Sequence, residues 1–314
     1  VKNSVIVTGN LGYLGPIAVR RLREAGYVVA GIDTNLYPAK LPWSYLPDIQ
    51  VSSVEQLPRA FWDARAVVHL AAISNDPMSE LDERLTYDTN VRLVAEISEV
   101  FDNARHVLAS SASVYGFNAE NCVESSPLNP LSTYAASKIS AERILNLLNP
   151  SSVSLRFGTL WGASPNFRVD LAVNHFALEG IVNGNISPLS NARRPILHVE
   201  DAARSIVAAV QSNPEQYHGI YNIVSENVEI YTAASKVGLF MGKEVITDES
   251  KKDADARSYH AGTLRDPHLV PNAQILVGDE VAMNNLVKCA EENIHTLPRI
   301  AALKKLLARG AESL

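Results

Sequence analysis

Between a short apolar run, Val5-Ile-Val-Thr8, and a helical pattern beginning near Leu14 lie three glycines spaced three apart: Gly9, Gly12 and Gly15. That arrangement leaves the chain few folds. A strand that turns sharply into a helix needs one glycine at the turn. It needs a second where a pyrophosphate approaches the backbone, and a third where helix packs closely on sheet. The helix then offers its first N–H groups and the positive end of its dipole to an anion. Pro16 suits a first helical turn, where a missing N–H costs nothing. Tyr13 and Leu14 belong to the same loop and are counted with the glycines as contacts to a bound dinucleotide.

The rest of the first half repeats the alternation. Strands are expected at 27–32, 66–71, 106–109 and 153–157, and helices at 14–25, 80–101 and 134–148, the last stopped by Asn149-Pro150. Strands apolar on both faces, with helices between them, indicate an α/β fold: a doubly wound parallel sheet of the Rossmann type. After residue 157 the regularity weakens. Loops rich in Pro, Asn and Gly are expected at 158–168 and 183–195, a helix near 200–211, a strand at 220–224 and a helix after Leu297-Pro298. We expect a dinucleotide-binding domain over 1–157 with return segments near 196–224. A smaller, partly interleaved C-terminal substrate domain would occupy 158–314.

Composition removes several classes. A net charge of −6 argues against a nucleic-acid partner, which usually needs a basic face. No run of about 18 apolar residues is present to span a membrane, and the start lacks the apolar stretch of a signal peptide. Cys122 and Cys289 lie far apart and read as free thiols in a reducing cytoplasm. The eight histidines never fall at metal-ligand spacing, so no metal is expected.

Asp33, 18 residues beyond Gly15, closes the second strand. A carboxylate there accepts hydrogen bonds from the adenosine ribose and repels a 2′-phosphate. Thr34 and Asn35 add no basic group, so NAD is expected over NADP. Tyr134 and Lys138 stand four apart in a helical stretch and share a face. A cation beside a phenol stabilises the phenolate and draws its pKa down from about 10. Tyr134 can then take a proton from a substrate hydroxyl while hydride leaves the carbon. Ser110, Ser111 and Ser113 follow the strand at 106–109, at the edge where open parallel sheets bind ligands. Taken alone they equally suit a polar turn capped by serine.

These pieces run in a definite order. Thr8-Gly9-x-x-Gly12-x-x-Gly15, Asp33, Asp48-Ile49 and His69-Leu-Ala-Ala72 come first. Ser110-Ser-Ala-Ser-Val-Tyr-Gly116, Pro127-x-x-Pro130 before Tyr134-x-x-x-Lys138, Leu155-Arg156 and Arg194-Pro-Ile-Leu-His198-Val-Glu-Asp201 follow. Together they resemble the extended short-chain dehydrogenase/reductases of the NAD-dependent epimerase/dehydratase family. The resemblance implies that Asp48 and Ile49 lie against the adenine, and Leu70, Ala71 and Ala72 beside the phosphates and nicotinamide ribose. It implies that Ser111 hydrogen-bonds the substrate hydroxyl, that Tyr134 is the base, and that Lys138 tunes it and holds the nicotinamide ribose. It also implies a nucleotide-sugar substrate bound by the C-terminal region, and a homodimer formed through the helices at 80–101 and 134–148.

Dehydratases of that family carry Asp and Glu in the serine loop; Ser111-Ala112-Ser113-Val114 has neither. The resemblance is therefore closer to the epimerases, in which hydride moves to NAD and returns to the other face of the sugar carbon. Thr159 stands where the family usually has an Asn near the diphosphate. Arg194 and Arg257 are the candidates to grip that diphosphate through a bidentate fork. The stretch 168–174 is expected to be a helix lining the cleft, with Asn174 as a substrate contact. Asn90 is a candidate support for a water near Lys138, and His198 reads as a packed residue. The loop 73–78 follows the cofactor strand without an assigned role. A reductase or dehydrogenase of a sugar or specialised metabolite would use the same Tyr and Lys and stays open. So do a 4,6-dehydratase and a dinucleotide sensor without chemistry.

Overall fold

In the computed structural model, residues 3–35, 41–118, 120–189, 191–247, 258–262, 267–269 and 274–294 are described. β1 (Ser4–Thr8) runs into α1 (Gly15–Glu24), followed by β2 (Val28–Ile32), β3 (Ile49–Val51) and β4 (Ala66–His69). Then come α2 (Asp76–Leu81), α3 (Glu83–Tyr87), a π-helical turn over Asp88–Arg92, and α4 (Leu93–Val100). β5 (Arg105–Ser111), β6 (Asn121–Cys122), α5 (Thr133–Leu148) and β7 (Val153–Phe157) follow. The second half supplies β8 (Thr159–Trp161), α6 (Ala172–Val182), β9 (Asn185–Ile186), β10 (Arg193–His198), α7 (Val199–Gln211) and β11 (Gly219–Ile223). It continues with β12 (Glu226–Glu229), α8 (Ile230–Met241), β13 (Glu244–Val245), β14 (His260–Ala261) and α9 (Glu280–Glu292).

The central sheet has seven strands in the order β11-β7-β5-β4-β1-β2-β3, every pair parallel. Alternation of side chains along each strand sends residues to both faces, and here both faces are apolar. Val5 and Val7 join Ile17 and Leu22 of α1 and Ala202 and Ile206 of α7 in one core. Ile6 faces the other way, into a core with Ile97 and Phe101, while Leu108 packs with Ala141 and Leu145 of α5. Strand order reverses between β1 and β4, so a crevice opens at their C-terminal ends. A second lobe is built on the mixed sheet β12-β10-β8, with β10 parallel to β8 and antiparallel to β12. Trp161, Phe176, Ile186, Ile196, Val237 and Met283 fill its core.

The helix expected over 80–101 is interrupted at Asp82 and then runs on from Glu83 to Val100 through the π-helical turn. Asp82, at φ −148°, ends α2, and its carboxylate then accepts the Leu85 N–H at 2.8 Å to cap α3. The strand expected at 66–71 stops at His69, and the helix expected from 168 begins only at Ala172. The region 158–195 holds β8, β9 and the start of β10 as well as loops. The helix expected after Pro298 lies outside the described residues. Among the described residues no helix is long and apolar enough to cross a membrane, and no cluster of residues suits a metal ion.

Candidate active site

Gly9 has φ +68°, and a Cβ there would stand 2.5 Å from the Ala71 backbone nitrogen. The turn thus presses on the segment after β4. Leu70 N donates to Thr8 O (3.1 Å) and Ala71 N to Thr8 Oγ1 (3.2 Å), tying the same segment to β1. At Gly15 a Cβ would lie 2.5 Å from the Asn10 and Gly9 backbone, so α1 enters directly against the turn. Gly12 differs: a Cβ would meet Gly9 O alone, at 3.3 Å, so the outer backbone of the loop is open to approach. Helix α1 has no side-chain cap at Leu14 and no acidic residue in its first turn. Asn75, Asp82, Ser132, His198 and Asp279 cap α2, α3, α5, α7 and α9. Helices α6 and α8 also lack a side-chain cap, but only α1 follows the open glycine turn. The first N–H groups of α1 are therefore offered to an anion. Asp33, at the end of β2, is drawn to the loop by Leu11 N (3.0 Å to Oδ2) and closes a local turn by accepting Asn35 N (2.8 Å to Oδ1). An open glycine backbone, an uncapped helix and a carboxylate form a donor and acceptor set that fits a dinucleotide.

Other expected contacts are placed elsewhere. Asp48 accepts Val29 N at 2.8 Å, donates its own N–H to Val29 O at 2.9 Å and pairs with Arg23 at 3.4 Å. Val29 lies near the start of β2, so Asp48 sits at the opposite end of the sheet from Gly9 and Asp33. Ile49 packs against the core below it. The structure does not bring Asp48 and Ile49 to the cofactor loop. Val51 O accepts Asp33 N at 3.1 Å, so Ser52 and Ser53 are the residues that emerge beside Asp33. The Tyr13 hydroxyl donates to Gly162 O at 2.6 Å, and burial pushes its pKa up. Asn174 is fully buried and spends its amide on Gly162 N (2.9 Å), Tyr13 OH (3.1 Å) and Arg168 O (2.8 Å). It is an internal strut, and the substrate contact expected of it is not available from that position.

Tyr134 and Lys138 open α5, where the Ser132 hydroxyl accepts Ala135 N at 3.2 Å. Lys138 Nζ stands 5.7 Å from the Tyr134 ring centroid and donates to Ala109 O at 2.8 Å. Burial lowers the Lys138 pKa to about 8, opposed by the Glu142 carboxylate. Because Ala109 precedes Ser110 and Ser111 on β5, this face of α5 meets the C-terminal end of that strand. Ser111 Oγ is half-buried and accepts Ser113 N at 3.2 Å. The neighbouring serine points elsewhere: Ser110 donates to Glu142, whose carboxylate also holds Arg156 Nε at 2.8 Å and Nη2 at 2.7 Å. That ion pair is buried and continues from Arg156 Nη1 to Tyr115 OH at 2.9 Å. Beneath the site His69 Nε2 meets His106 Nδ1 at 3.0 Å, and His106 Nε2 meets Phe101 O at 2.9 Å. Donation to Phe101 leaves His106 Nδ1 as the acceptor. Burial holds both rings below the usual histidine range.

Across the crevice, Arg168 Nη1 donates to Ser74 Oγ at 2.8 Å and Asn75 Nδ2 to Asp170 Oδ2 at 2.6 Å. Arg168 and Asp170 pair at 2.6 Å, and the guanidinium brings the Asp170 carboxyl down to about 2 despite burial. The loop expected over 73–78 ends at Asn75, where α2 begins, and through Ser74 and Asn75 it touches the loop before α6. Asn90 accepts Ile73 N (2.8 Å) and donates to Ile73 O (3.1 Å) and Ser137 Oγ (2.9 Å), so its amide hydrogens are committed within the protein. Thr159 is half-buried at the start of β8, and Arg194 is buried on β10 with Nη1 on Arg193 O at 3.1 Å. His198 caps α7 by accepting Glu200 N at 3.2 Å and packs edge-on against Trp161, 4.5 Å between centroids. Arg257 lies outside the described residues.

The sequence pattern of the NAD dependent epimerase/dehydratase family matches residues 5–223. Protein CapI of Staphylococcus aureus is 29% identical over 233 residues, 66% of this chain and 69% of that one. UDP-glucose 4-epimerase of Streptomyces lividans is 26% identical over 293 residues, 83% of this chain and 89% of that one. In fold the chain is similar to UDP-glucuronic acid 4-epimerase from Bacillus cereus, solved in complex with UDP-glucuronic acid and NAD. That likeness has a TM-score of 0.79 at 19% identity and covers 92% of this chain and 99% of the other.

Proposed function

Since this chain belongs to the NAD dependent epimerase/dehydratase family, we propose that it is a nucleotide-sugar epimerase that inverts one hydroxyl-bearing carbon by transient oxidation. The proton-transfer chemistry rests on the Lys138 ammonium 5.7 Å from the Tyr134 ring, at the same strand end as Ser111, and the choice of epimerase over reductase on the likeness to UDP-glucose 4-epimerase over 83% of the chain. The glycine loop and the N-terminus of α1 hold the NAD pyrophosphate, and Asp33 takes the adenosine ribose hydroxyls. When bound, NAD supplies reversible acceptance of a hydride. Ser111 donates a hydrogen bond to the substrate oxygen and orients it toward Tyr134. Tyr134, its phenolate form stabilised by the Lys138 ammonium, accepts the hydroxyl proton and later returns it. Ala112 and Ser113 are buried and neither is an acid, so the loop offers no side-chain acid for eliminating water.

Residues 1–157, with the returning α7 and β11, serve the cofactor, and the region from 158 onward serves the nucleotide sugar. Thr159 and Arg194 are its candidate polar contacts among the described residues. A homodimer through α4 and α5 accords with the exposed apolar ends of those helices, Val100 at 44% and Leu147 at 74%. The test is incubation with a panel of UDP-linked sugars followed by proton NMR. An epimer formed without added cofactor, and absent with Tyr134→Phe, supports the reading. Turnover that requires added NADH would make the protein a reductase.

A further inference from the structure

The base residue is gripped at its backbone from two sides. Tyr134 N donates to Ser79 Oγ at 3.1 Å, and Ser79 Oγ donates onward to Asp76 O at 2.7 Å. Tyr134 O accepts Ser137 Oγ at 2.7 Å, and Ser137 Oγ accepts Asn90 Nδ2 at 2.9 Å. Asn90 holds both the N–H and the C=O of Ile73. The circuit closes through the chain from Ile73 to Ser79. Ser79 and Ser137 are 0% exposed and Asn90 is 1% exposed. Burying hydroxyls and an amide is unfavourable unless each is paired, and here all three are spent around one residue. The first turn of α5 is otherwise already capped, by Ser132 at Ala135 N and by Glu80 at Thr133 N (2.7 Å). The π-helical turn that carries Asn90 sits within the circuit.

We propose that Ser79 is a positioning residue for Tyr134: with Ser137 it anchors the backbone of the base, so that the segment from Ile73 into α2 fixes the phenol relative to the Lys138 ammonium. This rests on the reading of Tyr134 as the base. The same segment reaches Arg168 and Asp170 through Ser74 and Asn75, so it joins the base to the opposite wall of the crevice. Loss of the Ser79 hydroxyl leaves Tyr134 N without that acceptor and lets the first turn of α5 relax away from the cation. At an effective dielectric constant of about 20, each ångström of retreat raises the phenol ionisation by about 0.3 of a pH unit.

The experiment is a tyrosinate absorbance titration in which the Tyr134→Phe difference isolates the one phenol, run on the parent chain and on Ser79→Ala. The expected result is an upward shift of about 0.3 of a pH unit for each ångström of retreat, with kcat lowered and KM for the nucleotide sugar held. A general structural role would lower Tm and leave the ionisation in place. If Ser79→Ala does not fold, the same titration on Ser137→Ala decides, with the same expected shift. An unmoved Tyr134 ionisation in the folded variant overturns the inference. A shifted ionisation in a chain that converts no nucleotide sugar would leave it standing while the proposed function falls.

Discussion

Replacing Lys138 with methionine removes the charge from beneath Tyr134 and keeps the length of the side chain. Taking the 5.7 Å between Nζ and ring centroid as the charge separation and an effective dielectric constant of about 20, the lost attraction is about 3 kcal/mol. At 1.36 kcal/mol per pH unit that raises the Tyr134 ionisation by about 2 pH units. The phenolate fraction at neutral pH then falls by about a hundredfold, and kcat falls with it. The variant also leaves Ala109 O without its 2.8 Å donor, a loss of about 1–3 kcal/mol. Removal of a buried ammonium, whose pKa burial has lowered to about 8, offsets part of that. The folded protein should therefore survive. The assay is the pH profile of kcat beside the tyrosinate titration: Lys138→Met should recover rate toward alkaline pH along a limb shifted upward. A variant that keeps more than a third of the parent rate at pH 7, or whose Tyr134 titrates where the parent's does, would refute the electrostatic account.

Glu142→Ala should cost about 3–5 kcal/mol in urea unfolding, because it leaves the buried Arg156 guanidinium without its carboxylate; a loss under 1 kcal/mol would mean that Tyr115 and the Glu124 carbonyl satisfy the guanidinium. Gly31→Ala places a Cβ 2.4 Å from the Asn10 amide and should destabilise by about 1–3 kcal/mol. Adding Asn10→Gly should recover most of that, and additive losses in the double-mutant cycle would contradict the contact. His198 is held to about 4 by burial, below its ordinary 6.5, the nearby Asp201 and Glu200 carboxylates opposing the shift. Its neutral ring therefore contributes stability that is complete above 6.5 and is lost as pH falls from 6.5 through about 4. His198→Asn keeps an N-cap and should flatten the unfolding free energy across that window; an unchanged slope would show that His198 is not one of its sources.

The central sheet was legible because its strands are apolar on both faces and its first turn needs glycine for a backbone reason. Gly9 and Gly15 have no room for a side chain, so their spacing reports geometry directly. Tyr134 and Lys138 were legible because four residues in a helix is one turn. Asp48 was misplaced because β3 has only three residues at the sheet edge, and its register on β2 leaves no periodic mark. The break at Asp82 was hidden by the continuous helical pattern around it, although Asp82 three residues before Leu85 is a capping spacing. Asn174 and Tyr13 are 161 residues apart in sequence, so nothing local says that each exists to satisfy the other. Asn10 tolerates the glycine loop because Gly31 clears space for its amide, a pairing that only the fold reveals. In β12 Val228 is the lone apolar residue among Glu226, Asn227 and Glu229, and its strand is set by pairing with β10.

The measurement that bears most directly on transient oxidation uses a nucleotide sugar carrying deuterium at the carbon that inverts, incubated with the purified protein and an excess of unlabelled NAD. The account predicts that the epimer forms with the deuterium retained at that carbon and none in the added NAD. An unlabelled epimer, deuterium in the free cofactor, or a keto sugar accumulating in proportion to NADH would contradict it.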